Sequence, residues 1–472
     1  MRGLMQEHSL LVSSILRHAA RHHRGARIVS VDAQGQRHRS GYEALEHAAK
    51  RIAQALRRRG VQPGERIATL GWNGAEHLQL YYAISGLGAV LHTVNPRLFA
   101  DQIAYILADA ADTHLFVDPA VLPALVAVAG QLPASLRTVV LMRDAPRPDL
   151  PCEVLTLDEF VAGEDGDMAW PALDERDASS LCYTSGTTGM PKGVLFSHRS
   201  TVLHAMASLQ PDVFALSALD VAMPVVPMFH VNGWGIPYSA PMAGASLVLP
   251  GPRLDPASLH ALCEEEGVSF SAGVPTIWTL LLQWLQADPS RRFARAPRLV
   301  VGGTALPVPV TTAFLRGYGV HILHAWGMTE MSPLGSTNSR KAENADWDED
   351  RFLAYSRKQG RPHFGVDFRV LDANGVPIAQ DEVAFGELEV RGPWVASGYF
   401  NQESDPAVTP DGWFRTGDVV TLDPLGEIEI VDRAKDVIKS GGEWISSITL
   451  ENCALAHPDV AMAAAIPVRH PK

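Results

Sequence analysis

The sequence predicts an α/β fold of helix-covered sheets, followed by a smaller β-rich region. Helical patterns alternate with short β-branched runs over most of the 472 residues. That alternation is typical of parallel strands covered by helices. The length exceeds what one hydrophobic core usually serves, so we expect several subdomains. Beyond about residue 365 the pattern changes to strands separated by turns, which indicates a small antiparallel region.

The individual elements are predicted from the spacing of apolar residues. Apolar side chains recur at helical spacing over 11–19, which predicts an amphipathic first helix. In chain order, helices follow over 42–59, 74–88 and 101–111, with strands over 66–70, 89–94, 114–117, 247–249, 269–272, 298–301 and 321–323 and helices between the later strands. The antiparallel strands are predicted over 368–371, 386–390, 413–420 and 428–430. The charged segment 338–360 lacks periodicity and is predicted as a surface loop.

Composition narrows the class of protein. Hydrophobic residues make up 46% and charged residues 19%, as in ordinary globular chains. The net charge of −12 argues against a nucleic-acid surface, which would need a basic stripe. The four cysteines show no CxxC spacing, so we expect a reducing compartment and neither a disulfide framework nor a zinc site. No apolar run reaches the roughly 18 residues of a spanning helix, and the N-terminal basic residues follow the apolar stretch, unlike those of a secretory signal. We expect a soluble, cytoplasmic protein, with a transit peptide as the lesser alternative.

The strongest local signal is a polar, glycine-containing segment after a predicted strand. It runs from Tyr183 to Gly193 and reads YTSGTTGMPKG. Glycines let the backbone approach a phosphate, hydroxyls and amides donate to its oxygens, and Lys192 adds a positive charge. The Walker pattern GxxxxGK[ST] is absent. A flexible linker rarely leads straight into an apolar run such as 194–196, so the segment predicts a phosphate-binding loop.

This loop and four later motifs resemble the acyl-adenylate-forming superfamily, which includes acyl-CoA synthetases, peptide-synthetase adenylation domains and luciferases. The resemblance covers nearly the whole chain. It implies a large N-terminal domain of two helix-covered mixed sheets (1–365), a small β-barrel-like subdomain (366–432), and a hinge with the start of a small α+β C-terminal domain (433–472). By resemblance the loop clamps ATP: Thr184 holds Mg²⁺ and the phosphates, and Lys192 is catalytic. The other loop contacts are Ser185, Gly186, Thr187, Thr188 and Gly189.

The second motif reads MFHVNGW from Met228 to Trp234. A histidine beside aromatic residues is more often a core residue than a functional one. In the family, however, this segment lines the acid pocket, and its histidine lies near the nucleotide and the acyl carboxylate. The resemblance therefore implies a catalytic role for His230. It implies an acid pocket lined by His230, Val231, Trp234, Gly302, Gly327 and Pro333.

The third and fourth motifs each follow a predicted strand. A tight turn before a helix would by itself explain Gly302-Gly303-Thr304-Ala305, but by resemblance Gly303 and Thr304 pack on adenine. The fourth motif, HAWGMTE over 324–330, places a carboxylate after a hydroxyl, and such oxygens suit a hard cation. By resemblance Thr329 contacts the α-phosphate, Glu330 binds Mg²⁺, and both are catalytic. The remaining nucleotide contacts of this motif are Trp326, Gly327 and Met328.

The fifth motif consists of GWFRTGD over 412–418 and DRAKD over 432–436. A buried carboxylate is a natural acceptor for two ribose hydroxyls, and by resemblance Asp418 has that role, with Arg433 also reaching the ribose. Lys435 matches the hinge about which the C-terminal domain turns. The next segment matches the loop that meets the CoA arm, where a glycine pair leaves space for the narrow pantetheine chain. Its residues are Lys439, Gly441, Gly442, Glu443 and Trp444.

Together the motifs predict ATP-dependent activation of a carboxylic acid. The acid oxygen attacks the α-phosphorus of ATP, pyrophosphate departs, and the acyl-AMP then passes its acyl group to CoA with release of AMP. Catalysis is expected to be mostly positioning and electrostatic stabilisation. In the family, the C-terminal domain rotates about the hinge between the two steps. The resemblance implies ATP, Mg²⁺ and CoA as cofactors and a small carboxylic acid as substrate. A homodimer is one option for assembly, and no nucleic-acid partner is expected.

One departure from the family concerns the first step. The family's adenylation uses a lysine near the far C-terminus, well beyond the glycine-glycine-glutamate loop, whereas this sequence ends at Lys472. We therefore expect this chain to bind ATP and acid but to adenylate poorly. A truncated, non-catalytic homologue that binds ATP or acyl-adenylate is the alternative to an active enzyme.

The nature of the acid is predicted from three segments, HTVNPRL over 92–98, FHVN over 229–232 and SGGEWISS over 440–447. They look like medium-chain fatty-acid–CoA ligases and methylmercaptopropionate–CoA ligases. Trp234 and Trp326 would fill and shorten the acid pocket, although large aromatic side chains also pack ordinary cores. The segment 228–234 has no acidic residue to hold an amine, which disfavours amino acids. A luciferase-like oxygenase stays open on motifs alone, and the loop at 441–444 favours CoA.

Two other patterns predict no site. The GxG at Gly86 and Gly88 lies at the end of a predicted helix rather than at its start, so a dinucleotide fingerprint is disfavoured. His18, His22 and His23 can share one face of the first helix. A solvated polar face is favoured there over a metal site because no further ligand is evident.

Overall fold

The computed structural model describes residues 1, 3–184, 190–304, 306–402 and 407–434, the backbone of 438–440 and 443–445, and a few single positions beyond. Its strands in chain order are β1 Arg27–Val31, β2 Arg37–Gly41, β3 Arg66–Leu70, β4 Val90–Thr93, β5 His114–Val117, β6 Thr138–Leu141, β7 Glu153–Thr156, β8 Ala178–Tyr183, β9 Gly193–Ser197, β10 Val221–Pro224, β11 Ser246–Leu249, β12 Phe270–Gly273, β13 Arg298–Val301, β14 Ile322–Gly327, β15 Leu334–Asn338, β16 Arg361–Pro362, β17 Asp367–Leu371, β18 Phe385–Arg391, β19 Phe414–Leu422, β20 Ile428–Arg433, β21 Ile438–Ser440 and β22 Glu443–Ile445.

The helices alternate with these strands up to about residue 355. They are α1 Val12–His22, α2 Tyr42–Arg58, α3 Ala75–Leu87, α4 Ala100–Asp109, α5 Leu122–Val126, α6 Leu157–Phe160, α7 His198–Ser208, α8 Ile236–Ala243, α9 Pro256–Glu266, α10 Pro275–Gln286, α11 Val308–Tyr318 and α12 Glu349–Tyr355. Helix α3 ends where Gly88 adopts the left-handed conformation at φ 93°, which a side chain would strain. Within the described chain, no helix combines the length and the apolar character needed to cross a membrane.

Two mixed sheets form the body of the molecule. One has seven strands in the order β7-β6-β5-β3-β4-β8-β9 and the other has nine in the order β16-β15-β14-β13-β12-β10-β11-β1-β2. All neighbours in the first are parallel except β8 and β9. Every residue of β4, β5 and β6 is buried, as expected for strands covered by helices on both faces. The predicted pair of helix-covered mixed sheets is confirmed.

A third sheet follows the change of pattern. Strands β17-β18-β19-β20 form a four-stranded antiparallel sheet in that order, and β21 pairs with β22 separately. The antiparallel sheet packs its own cluster of buried residues, which includes Val370, Leu388 and Val420. Trp326 belongs to the same cluster, so the end of β14 enters the core beneath the antiparallel sheet. The predicted antiparallel strands are confirmed, with bounds shifted by a few residues.

The prediction of a surface loop over 338–360 is wrong. Asp348 caps helix α12, accepting a hydrogen bond from the Arg351 amide at 2.8 Å. Lys358 is only 3% exposed and pairs with Asp423 at 2.7 Å, so the charged residues of this segment include a buried ion pair. A seven-residue helix is too short to show a periodic pattern, and its buried side chains, Leu353 and Tyr355, give no clear apolar repeat in the sequence.

The topology brings the predicted motifs to one edge of the two sheets. The phosphate loop follows β8, the segment 225–230 follows β10, Gly302 follows β13, and Gly327 ends β14. In open α/β sheets, ligands bind in the crevice outside the carboxyl ends of the strands. Four separated sequence motifs therefore meet where such a site is expected.

Candidate active site

The phosphate loop leaves and re-enters the seven-stranded sheet through a closed neck. The Thr184 amide donates to the Lys192 carbonyl oxygen at 2.9 Å, and the Lys192 amide donates to Thr184 Oγ1 at 3.2 Å. These bonds extend the antiparallel pairing of β8 and β9 by one step. The central loop residues Ser185, Gly186, Thr187, Thr188 and Gly189 lie outside the described residues. The neck thus places Thr184 and Lys192 side by side at the base of the loop.

Lys192 and Glu330 both contact the side chain of Tyr399. The Lys192 ammonium lies 4.5 Å from the centre of the Tyr399 ring, within the range of a cation–π contact. The Tyr399 hydroxyl donates a hydrogen bond to Glu330 Oε1. One aromatic side chain therefore connects the cation of the phosphate loop to the carboxylate of the fourth motif.

Glu330 is buried, with 6% of the residue exposed. Burial raises the pKa of its carboxyl group above the ordinary value, while the Tyr399 hydrogen bond and the positive charges of Arg433 and Lys192 act to lower it. The group is therefore a carboxylate whose ionised form depends on neighbouring donors and cations.

The segment that carries Tyr399 is fixed at both ends. The Ala396 amide donates to the Glu330 carbonyl oxygen at 2.7 Å, and the Phe400 amide donates to the Gly193 carbonyl oxygen at 2.8 Å. These two bonds attach the segment to the fourth motif and to the strand after the phosphate loop. No motif or periodicity marks Tyr399 in the sequence, and its position in the site arises from these tertiary contacts alone.

Asp418 forms a second buried carboxylate on the same side of the site. It is 1% exposed, accepts a hydrogen bond from Trp326 Nε1 at 3.0 Å and pairs with Arg433 Nε at 2.9 Å. Burial raises the pKa of Asp418, an effect opposed first by the charge of Arg433. Side-chain donors thus orient both oxygens of Asp418. We call Lys192, Trp326, Glu330, Tyr399, Asp418 and Arg433 the nucleotide cluster.

Trp326 packs into the core beneath the antiparallel sheet. Its ring stacks edge-to-face on Phe368 at 5.5 Å, and a Cβ added at Gly335 would fall 2.6 Å from its Cζ3 atom. The prediction that Trp234 and Trp326 shorten the acid pocket stays a prediction.

The turn after β14 requires glycine. A Cβ on Gly327 would lie 2.0 Å from the Pro333 carbonyl oxygen, and the Met328 amide donates to that oxygen at 3.0 Å. Thr329 follows in a short 3₁₀ turn, Thr329–Met331, and is buried with Glu330. The close approach of the chain at Gly327 brings Met328, Thr329, Glu330 and Pro333 into one compact turn.

The third motif presents an open surface. Gly303 has φ 91°, where a side chain would be strained, and both Gly303 and Thr304 are exposed. Gly302 is buried instead, and a Cβ added there would lie 2.9 Å from the Trp234 ring. The motif therefore has one face toward the Trp234 side chain and one exposed face.

The second motif has an unusual backbone. The 3₁₀ turn Val231–Gly235, which we call the acid turn, is left-handed: φ is 38° at Val231, 54° at Asn232 and 54° at Trp234. Non-glycine residues in such conformations cost on the order of 1–3 kcal/mol each and persist where the surroundings fix them. The signal was invisible in the sequence because Val and Trp do not favour positive φ.

The seven-stranded sheet holds the acid turn through hydrogen bonds. The Val231 amide donates to the sulfur of Cys182 at 3.3 Å. Asn232 donates to the Ser180 hydroxyl at 3.0 Å and accepts from Thr93 at 3.3 Å. A turn that belongs to the nine-stranded sheet by connectivity is therefore fixed by strands β4 and β8 of the other sheet.

His230 precedes the acid turn and is half-buried. Burial lowers the pKa of its imidazole, which favours the neutral ring. Its amide donates to the Pro227 carbonyl oxygen at 3.0 Å, which closes the turn that carries it. A neutral imidazole can still donate and accept one hydrogen bond each.

The residues predicted for the CoA arm lie at the limit of the described chain. Lys439 lies in β21 and Glu443 and Trp444 lie in β22, and Lys439 pairs with Trp444 in that antiparallel register. Gly441 and Gly442, between the two strands, and Lys435, at the predicted hinge, lie outside the described residues.

Comparison with known proteins assigns the chain to a family. Residues 16–400 match the profile of the AMP-binding enzyme family, and the chain belongs to that family. The prediction of an AMP-forming acyl-CoA synthetase is confirmed at this level. Enzymes of that class use ATP, Mg²⁺ and CoA.

Individual relatives agree with this assignment. The chain is 47% identical to a medium-chain-fatty-acid–CoA ligase from Ectopseudomonas oleovorans, and the match covers 100% of this chain and 86% of the relative. It is 48% identical, again over its whole length, to 87% of a 3-methylmercaptopropionyl-CoA ligase from Ruegeria lacuscaerulensis. Among solved structures, an anthranilate CoA ligase in complex with anthranoyl-AMP has the same fold, with a TM-score of 0.84 at 23% identity over 97% of this chain and 84% of that one.

The donor set of this chain fits the Mg²⁺ that the family implies. The predicted ligands are the Thr184 hydroxyl and the Glu330 carboxylate, and oxygen is the ligand atom that Mg²⁺ prefers. Burial raises the pKa of Glu330 and so disfavours its ionised form. A divalent cation bound beside it would have the opposite effect and favour the carboxylate. Buried carboxylates are usually compensated in this way, by pairing or by coordinating metals.

Proposed function

We propose that this chain activates a short- or medium-chain carboxylic acid as its acyl-AMP and transfers the acyl group to CoA. The observation that carries the proposal is the nucleotide cluster. It links the cation of the phosphate loop, through Tyr399, to Glu330, and it places Asp418 in the same part of the site. Asp418, a buried carboxylate oriented by two donors, suits the ribose of a nucleotide. Lys192, with the Mg²⁺ that Glu330 would bind, suits its polyphosphate.

In the first step a carboxylate oxygen of the acid attacks the α-phosphorus of ATP, and the bond to pyrophosphate breaks. Negative charge increases on the phosphoryl oxygens, where Lys192 and Thr329 would stabilise it. Mg²⁺, when bound at Thr184 and Glu330, supplies further charge neutralisation. Asp418 would accept hydrogen bonds from the ribose hydroxyls, and the exposed Gly303 and Thr304 would lie along the adenine. In the second step the CoA sulfur attacks the acyl carbon and AMP leaves.

The acid is proposed to extend past the acid turn. Trp234 is 9% exposed and lies against Gly302, so a large ring occupies the space that a longer pocket would need. Two relatives that each share about half of their aligned residues with this chain act, by their names, on medium-chain fatty acids and on 3-methylmercaptopropionate. Both acids are unbranched and end without a charge, which agrees with a segment 228–234 that carries no acidic residue.

A titration with acyl sulfamoyl adenosines tests this proposal. These compounds are non-hydrolysable analogues of acyl-AMP. Analogues that carry butanoyl, octanoyl, dodecanoyl, 3-methylmercaptopropionyl and benzoyl groups are each titrated, and their affinities are compared with that of AMP. We expect the octanoyl or methylmercaptopropionyl analogue to bind most tightly. Affinities no higher than that of AMP, or a preference for the benzoyl analogue, would contradict the proposal.

Turnover is measured in parallel. The same acids are scored for CoA-dependent AMP formation, and the order of rates is expected to follow the order of affinities.

A further inference from the structure

Side chains from the seven-stranded sheet cross to the segment that leads into His230. Asn73 lies in the connection between β3 and α3, and Tyr81 lies in α3 itself. Asn73 is 2% exposed and Tyr81 is fully buried. Both contact the backbone of residues 224–228, which belong to the nine-stranded sheet by connectivity.

The side-chain amide of Asn73 makes three hydrogen bonds to this segment. Its Nδ2 donates to the carbonyl oxygens of Pro224 at 2.7 Å and Val226 at 2.9 Å, and its Oδ1 accepts from the Met228 amide at 2.7 Å. Two carbonyl acceptors and one amide donor allow only one orientation of the side-chain amide. Three bonds from one side chain thus fix the path of the chain from β10 to Met228.

Tyr81 completes the contact from the other side of the same residue. Its hydroxyl donates to the Met228 carbonyl oxygen. The amide and the carbonyl of Met228 are therefore both held by buried side chains of the segment that connects β3 and β4. Trp72, next to Asn73, adds an edge-to-face contact with Phe229, with ring centres 5.6 Å apart.

The position of this contact gives it a consequence. Met228 is followed by Phe229 and His230, and the left-handed acid turn begins at Val231. Strained backbone persists only where its surroundings over-determine it. The contact at Met228 fixes the start of that strained path, and Cys182, Ser180 and Thr93 fix its continuation.

We propose that Asn73 and Tyr81 are positioning residues that set the geometry of the acid pocket. Neither is expected to touch the acid; they act through Met228 on His230 and the acid turn. The inference rests on the proposed function, because it assigns the acid pocket to this turn. It concerns the acyl group selectively, because the nucleotide cluster contacts neither residue in the described part of the chain.

Tyr82 provides a matched control on the same helix. It is as buried as Tyr81, and its hydroxyl also donates to a backbone carbonyl oxygen, that of Pro237 in α8, at 2.7 Å. Tyr82→Phe removes the same atom from the same helix. It leaves the Met228 contact intact, so any difference between the two variants measures the position of the bond and not its loss.

The test compares octanoyl sulfamoyl adenosine with AMP by isothermal titration, using the whole chain. In Tyr81→Phe we expect about fivefold weaker binding of the octanoyl analogue, the effect of one neutral hydrogen bond, with AMP affinity unchanged. Tyr82→Phe is expected to leave AMP affinity unchanged and to weaken the octanoyl analogue less than Tyr81→Phe does, because its bond lies beyond the end of the acid turn. Asn73→Ala should also weaken the octanoyl analogue selectively. The loss should be larger than in Tyr81→Phe, because three hydrogen bonds are removed. Thermal unfolding is recorded for each variant.

Two results overturn the inference in different ways. A wild-type chain that binds the octanoyl analogue no more tightly than AMP overturns the proposed function and the inference with it. A wild type that discriminates, with equal losses in Tyr81→Phe and Tyr82→Phe, overturns the inference alone. If Asn73→Ala fails to fold, the tyrosine pair still decides the question, since each of those changes removes a single oxygen.

Discussion

The nucleotide cluster and the acid turn lie at the same edge of the sheets but are stabilised differently. In the nucleotide cluster, buried carboxylates are matched with cations and side-chain donors, as in the pair of Asp418 with Arg433 at 2.9 Å. In the acid turn, neutral side chains hold a backbone in left-handed conformations, as Cys182 holds the Val231 amide at 3.3 Å. The first region depends on charge and the second on shape.

This difference predicts separable responses. Changes in the nucleotide cluster should alter nucleotide binding, Mg²⁺ dependence and pH dependence, because burial has raised the pKa of Glu330 and of Asp418. Changes around the acid turn should alter the choice of acid and little else, because no carboxylate lies in the segment 228–234. A change that moved both sets of properties equally would argue against two separate regions.

The largest effect is expected for Glu330→Gln. Glutamine keeps the size of the side chain but removes the charge proposed to bind Mg²⁺, and loss of one such stabilising group costs about 100-fold or more in rate. Pyrophosphate release with octanoate at saturating ATP measures it. Glu343→Gln, an exposed ion-pair partner of Arg361, serves as the control and should keep the wild-type rate. A loss of less than about threefold in Glu330→Gln would contradict the proposal that Glu330 binds Mg²⁺.

The next effect is expected for Asp418→Asn in nucleotide affinity. The amide oxygen can still accept from Trp326, but the charge that pairs with Arg433 is lost and so is the preferred acceptor for the ribose. Hydrogen bonds to charged groups contribute about 1.5–3 kcal/mol, so AMP binding should weaken about 30-fold. The exposed position of Arg433 places the ion pair itself at the weak end of its range.

Its control is Asp411→Asn, which changes an exposed carboxylate paired with Arg369 on the same antiparallel sheet. Titration of AMP into both variants makes the comparison. If 2′-deoxy-AMP loses as much affinity in Asp418→Asn as AMP does, Asp418 does not bind that ribose hydroxyl.

A smaller and more selective effect is expected for Gly302→Ala on the acid side. The added methyl group would lie 2.9 Å from the Trp234 ring, and we expect the ring to shift into the space proposed for the acyl chain. A change of one methyl group in an apolar pocket alters discrimination about tenfold. The ratio of octanoyl to butanoyl analogue affinities should fall, with AMP binding unchanged. Gly317→Ala, where a Cβ would contact nothing within 4 Å, is the matched control.

Much of this arrangement could be predicted from the sequence, for identifiable reasons. Strands such as β5 and β13 were predicted with their observed bounds because short β-branched runs are bounded by polar or turn residues. Motif residues that hold charges, such as Lys192, Glu330 and Asp418, are marked by their own chemistry. The structure places these three in or beside one cluster, while their individual roles stay predictions.

Residues that act through backbone contacts left no such mark. Asn73 and Tyr81 contact Met228 across about 150 positions of sequence, and only tertiary packing brings them together. Tyr399 has no motif, and the left-handed φ of Val231 contradicts the preference of a β-branched residue. Helix α12 was not predicted because charged residues masked the apolar periodicity of its seven residues.

The smallest effect, a shift in pH dependence, is expected for Tyr399→Phe. Phenylalanine keeps a ring beneath the Lys192 ammonium, so the change isolates the hydroxyl that donates to Glu330. That hydrogen bond lowers the pKa of Glu330 against the effect of burial, and its removal should raise the pKa further. Glu330 would then bind a proton at a higher pH, and the acid limb of the rate profile should move to higher pH.

The sign of this shift separates charge from shape. At alkaline pH, where Glu330 is ionised in both proteins, Tyr399→Phe should approach the wild-type rate, within about threefold. At low pH it should fall further below, and added Mg²⁺ should recover part of the loss because the cation favours the ionised carboxylate. Tyr318→Phe, in α11, changes a ring that packs against a different core cluster and should leave the profile unchanged. A loss in Tyr399→Phe that is equal at every pH would mean that Tyr399 acts by packing the segment against Gly193, and the nucleotide cluster would then resemble the acid turn in depending on shape.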